Sequence, residues 1–115
     1  MARSEFRYNP KRKHYTYIFG EKRIFKNNKL TIVYKYLLLT SKSKRKKKRR
    51  NGTYKEYDNV KLYQHPNPNK TNNQYVIPKV GYDNEESFSD TKQNWKFHPY
   101  DRRKIKKIRK GKWKQ

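Results

Sequence analysis

The chain of 115 residues has no cysteine, which removes a disulfide framework and a thiolate metal site from consideration. Acids are scarce too: 9 Asp and Glu stand against 33 Lys and Arg, for a formal net charge of +24. Such a surface repels itself unless polyanions or salt neutralise it. Leu, Ile, Val and Phe together number only 20, a shortage that, combined with high net charge, is the composition of disordered chains. Long apolar runs are absent as well, since the best one, Leu30 to Leu39, falls far short of the roughly 20 residues a membrane span needs. The N-terminal stretch "MARSEFRYNPKRK" lacks the apolar region of a secretory signal, so a cytoplasmic location is expected. Histidines number three, and no two sit at a ligand spacing, so neither a metal site nor a cofactor is expected.

What the chain does have is aromatic. Its 11 Tyr and 2 Trp carry large apolar bodies with a polar tip and can build a core that a count of aliphatic residues misses. A small folded centre is therefore expected, with basic segments that are disordered or ordered by a partner. The length suits one domain. Within it the composition marks a basic N-terminal arm over residues 1–13, a basic loop over 42–52 and a basic C-terminal helix and tail over 97–115. Lys, Asn, Tyr and Ile are also favoured by an AT-rich genome, a source that does not account for the clustering of the cations.

Local patterns predict a mainly β fold with a C-terminal helix. "HYTYIFG" (14–20) reads as a strand and turn, and Asn27-Asn28 mark a turn before the best strand, Leu30 to Leu39. Both faces of that strand become apolar toward its end, which predicts a central position covered on both sides. Asn51-Gly52 is a strong turn dipeptide. "NVKLYQ" and "QYVIPKV" read as short strands limited by Pro66, Pro68 and Pro78, and "GYDNEESFSD", with four of the nine acids, reads as a loop. "FHPYDRRKIKKIRKG" (97–111) has Pro99 in the first turn, Asp101 favourable to the dipole, Gly111 at the C-terminal cap, and an apolar stripe of Ile105 and Ile108. Trp95 and Phe97 are expected to dock its start.

Cations interleaved with aromatic rings point to nucleic acid, because Lys and Arg neutralise phosphates while Tyr and Trp offer faces on which unpaired bases stack. The combination suits single-stranded RNA better than duplex DNA. The expected contacts are Lys42, Lys44, Arg45, Lys46, Lys47, Lys48, Arg49 and Arg50 in the loop, and Arg102, Arg103, Lys106, Lys107 and Arg109 on the helix. An anionic membrane surface would need an amphipathic basic helix, and a nuclear-localisation patch is the other rival for residues 42–50. His14, His65 and His98, with Thr40-Ser41 and nearby arginines, supply the ingredients of metal-independent RNA cleavage: a base, an acid and a cation over the phosphate.

The strand ending "YKYLLLTS" and the earlier "KRKHYTYIF" resemble the MazF/PemK-like toxins, ribosome-independent endoribonucleases. The resemblance covers Lys11 to Ser41, and Pro10 precedes Arg12, so the family's Arg-Pro pair is absent. It implies a small SH3-like β-barrel, Thr40 or Ser41 at the scissile phosphate or in proton transfer, Arg12 or His14 stabilising the anionic transition state, and an acidic antitoxin protein as a partner. Two functions therefore stay open: a metal-independent endoribonuclease of toxin type acting on single-stranded RNA, and a non-catalytic nucleic-acid-binding or ribosome-associated basic protein.

Overall fold

A computed structural model describes residues 4–70 and 74–113. Among the described residues, eight strands and one α-helix follow in the order β1 (Glu5–Asn9), β2 (His14–Lys26), β3 (Lys29–Thr40), β4 (Lys44–Lys48), β5 (Tyr54–Asp58), β6 (Val60–Lys61), β7 (Tyr75–Val76), β8 (Gly81–Asn84) and α1 (Pro99–Arg109), with a short 3-10 turn at Glu85–Ser87 after β8. The protein is thus mainly β with a C-terminal helix. Its main sheet runs β1-β2-β3-β7-β6, with β8 on the same edge of β3 as β7, and β4-β5 forms a separate hairpin. That main sheet is not closed into a barrel.

The apolar strand β3 is central, as its two-sided pattern predicts. On one side of the sheet Leu37 and Leu39 pack with Phe6, Tyr17, Phe19, Val76 and Phe97 under α1, whose Ile105 and Ile108 complete the cluster. On the other, Tyr34 and Tyr36 pack with Ile18 and Phe88. Aromatic rings replace the missing aliphatics in both: Phe6 alone meets Tyr17, Trp95 and Phe97 at ring separations of 5.1, 5.6 and 5.2 Å. The ring of Tyr36 lies so close to Gly81 that an added Cβ would stand 2.6 Å from it, so only glycine lets β8 approach β3 here.

Several segments differ from the sequence expectation. Gly20 does not end the first long strand; the register slips between Ile18 and Gly20, and β2 continues past this bulge to Lys26. The Asn27-Asn28 turn then closes a long ribbon, both residues adopting the left-handed backbone of a primed turn (φ 53° and 60°). Glu5–Asn9, within the segment read as an arm, pairs with His14–Ile18 as β1. Residues 44–48, read as loop, form β4, and Gly81–Asn84, also read as loop, forms β8. "NVKLYQ" shrinks to the two-residue β6. Residues 1–3 of the expected arm and 114–115 of the expected tail lie outside the described residues.

The helix begins where Pro99 predicts, but its cap is His98, whose Nδ1 accepts the Tyr100 N–H at 3.1 Å. It ends on Gly111 (φ 70°), where Gly111 N–H donates to the Ile108 carbonyl and Lys112 N–H to the Lys107 carbonyl, satisfying the last turn. Asp101 is fully buried and accepts the Tyr63 and Gln64 N–H groups at 2.7 and 3.3 Å, fastening the chain after β6 to the helix start.

Candidate nucleic-acid interface

The basic run 42–50 becomes a ribbon because β5 offers it partners. Lys44 faces Asp58 and Lys46 faces Glu56 across the hairpin, opposite charges that offset part of the repulsion along β4. Arg45 pairs across to Tyr57, lies over its ring at 5.3 Å, and donates to the Asn59 side chain at 2.8 Å and the Asp58 carbonyl at 3.1 Å. Arg45 therefore holds the hairpin together, while Lys42, Lys44, Lys46, Lys47, Lys48, Arg49 and Arg50 are exposed. The tip closes with Gly52 in the left-handed region (φ 87°), its N–H donating to the Arg49 carbonyl. At the base, the Asn59 side chain donates to the Lys42 carbonyl at 3.0 Å and its N–H to the Ser43 carbonyl at 2.8 Å.

The second cationic surface is α1, where Arg102, Arg103, Lys106, Lys107 and Arg109 are exposed around the buried Ile105 and Ile108. A groove of about 550 Å³ joins it to the hairpin, running from β5 and β6 to Lys104 and the half-buried Trp113. At the other end of the helix the exposed rings of Tyr63 and Tyr100 cluster with His98, with ring separations of 4.5 to 4.9 Å. Sequence reading placed neither Tyr63 nor Trp113 at a site. Trp113 was within reach as a ring that follows the helix cations beside Lys110 and Lys112, whereas Tyr63 comes beside Tyr100 only through the Asp101 fastening.

Thr40, Ser41 and His14 line one small hollow of about 190 Å³, together with His65, Lys13 and Lys70. The antiparallel register Thr16↔Leu38, carried two residues further, sets the start of β2 beside the end of β3 and so brings His14 to Thr40. Thr40 is buried, and its hydroxyl oxygen accepts the Lys42 N–H at 3.2 Å, which shapes the strand exit; Ser41 is exposed. His65 is buried and its Nδ1 accepts the Asn67 N–H at 2.8 Å, which leaves the proton of the neutral ring on Nε2. Burial first, and then the Lys70 ammonium, lower its pKa to about 4. Burial and Lys42 lower that of His14 as well. Two imidazoles that favour the neutral form thus sit beside two ammonium groups.

Arg12 is not in the hollow. Its guanidinium lies 3.5 Å from Asp83, which also accepts the Tyr36 hydroxyl at 2.9 Å. Burial and Asp83 push Tyr36 up to about 12. Lys13, held with a left-handed backbone (φ 60°) in the tight turn after β1, lines the hollow beside His14, whereas Arg12, the other residue the resemblance offered, does not. Among the described residues no group of three or more His, Asp or Glu gathers as a metal site.

No family model, curated protein or solved structure matches this chain. The interface is accordingly read from its own geometry. Among the described residues, no helix is long and apolar enough to cross a membrane.

Proposed function

We propose that the protein binds single-stranded RNA, with the β4–β5 hairpin and α1 as its phosphate-contacting surfaces. The observation that carries this reading is the hairpin itself. Seven exposed cations of residues 42–50 are mounted on and around a ribbon fixed at its base by Asn59, beside a groove lined by Trp113. Exposed tyrosine rings at the helix start add stacking faces that duplex phosphates would not use. A ribosome-associated protein is one form this activity would take.

The hollow favours a second reading, metal-independent cleavage of the bound RNA. A neutral imidazole accepts the 2′-hydroxyl proton as the 2′-oxygen attacks phosphorus, and the bond from phosphorus to the 5′-oxygen breaks to leave a 2′,3′-cyclic phosphate. The ammonium of Lys13 or Lys70 offsets the phosphate charge and protonates the departing 5′-oxygen, with Thr40 and Ser41 lining the hollow. This is the chemistry implied by the resemblance to the MazF/PemK-like toxins, for which an acidic protein partner would be the natural inhibitor. Their SH3-like barrel is not matched by the open sheet, so this reading rests on the hollow.

One experiment addresses both. A labelled single-stranded RNA is titrated at several salt concentrations and then incubated with the protein in chelator. Contact with about six phosphates gives a log–log salt slope of about −4, from roughly 0.7 per phosphate on single strands. A slope near zero removes the first reading. Cleavage that disappears in Thr40→Ala/Ser41→Ala while binding persists supports the second; intact RNA after long incubation with bound protein removes it.

A further inference from the structure

A further hollow, of about 640 Å³, is neither the hairpin groove nor the histidine hollow. It lies between α1 and the Phe6, Tyr17 and Phe19 side of β1 and β2. Its floor is aromatic, with Phe6, Tyr17, Phe19 and Phe97 largely buried and the half-buried Trp95 at the side. Five cations surround that floor, Lys96, Arg102, Lys106, Arg109 and Lys110, and no described residue lining it carries a carboxylate. The rim is partly fixed in place: Arg109 lies over the Phe19 ring at 5.0 Å, and Arg102 Nε donates to the Phe97 carbonyl at 3.3 Å.

An apolar tail with one carboxylate would use the floor but leave most of the rim unopposed. A bare polyanion would use the rim but cover none of the rings. A nucleotide of a single strand meets both, since the base has a π-face for the aromatic floor and phosphates on either side spread negative charge along the rim. The volume falls within the roughly 300–1,000 Å³ of sites that enclose a small molecule.

We propose that this groove takes one unpaired nucleobase of a bound RNA strand, its flanking phosphates lying on the Lys96 and α1 sides. This rests on the reading of the chain as an RNA-binding protein. It adds to that reading a base-contacting pocket, so affinity depends on the base as well as on charge.

Trp95 reports the event directly. In Trp113→Phe it is the only tryptophan in the chain. Its emission is followed while a short single-stranded RNA, or a sugar–phosphate oligomer of the same length without bases, is added. The expected result is quenching by RNA with at least about fivefold tighter binding than the abasic oligomer. Lys106→Glu should weaken both quenching and affinity more than the same charge change at Lys107→Glu, which lies on α1 outside the groove.

Equal affinity and equal quenching by the abasic oligomer, with strong binding retained, would overturn the base pocket and leave RNA binding standing. So would equal losses from the two lysine changes. Absence of RNA binding altogether overturns both readings. An acidic peptide with aromatic side chains that quenches Trp95 where RNA does not would overturn the pocket and assign the groove to a protein partner.

Discussion

His65 is only 4% exposed, and its Nδ1 is committed to the Asn67 N–H. Burial penalises the charged ring, and protonation would place that charge beside Lys70, so its pKa falls to about 4 from the ordinary 6.5. In the unfolded chain the same ring protonates near 6.5, so below that pH the unfolded state binds the extra proton first. The stability from neutral His65 is present above about pH 6.5 and is lost as pH falls toward 4. Urea unfolding at pH 7.5, 6 and 4.5 should show that loss, and His65→Gln should flatten it; an unchanged slope in His65→Gln would place the titration elsewhere. Nothing in "HPNPN" announces a buried imidazole, because the burial is made by Trp95 and by the ends of β2 and β3, all distant in sequence. Thr40 and His14 were legible as residue types at strand ends. Their meeting with His65 was not, since no spacing encodes it.

At the scale of elements, the ones with their own periodicity and caps were readable: β3 from its apolar run, α1 from Pro99, Ile105, Ile108 and Gly111, and the turn at Asn27-Asn28. Those missed depend on partners. "KRKKK" has no alternation to read, and it is a strand because Tyr54–Asp58 lies against it with two opposite charges. "GYDN" is a strand because Gly81 fits under Tyr36 and Asp83 receives its hydroxyl. The outer β2–β3 ribbon shows the converse: its strands extend past the covered end of β3, and Phe25 is 72% and Leu30 58% exposed. Neither belongs to a core cluster. Phe25→Ser should therefore change unfolding free energy by no more than about 0.5 kcal/mol, measured by urea denaturation; a loss of 2 kcal/mol or more would mean that the ribbon tip packs against something.

Across the whole molecule, the few acids are largely engaged. Glu5 meets Arg7 at 3.0 Å, Asp83 meets Arg12, Glu85 accepts the Tyr34 hydroxyl at 3.2 Å, and Asp101 is buried at the helix start. Beyond Asp58 and Glu56, which face Lys44 and Lys46, little negative charge is left to oppose the cations of the hairpin and α1, so the folded state carries a repulsion that salt screens. Raising sodium chloride from about 50 to 500 mM should raise the thermal midpoint, each kcal/mol of relieved repulsion being worth ~4–8 °C for a domain near this size. A fall in the midpoint would show that the ion pairs outweigh the repulsion. The outer β2–β3 ribbon also matters at this scale. Because Ile24, Phe25 and Leu30 support neither core, selection for a stable fold places little constraint on them. That tip can change sequence over evolution while the body of the protein stays the same, a freedom that Tyr36 and Gly81, locked face to face, do not have.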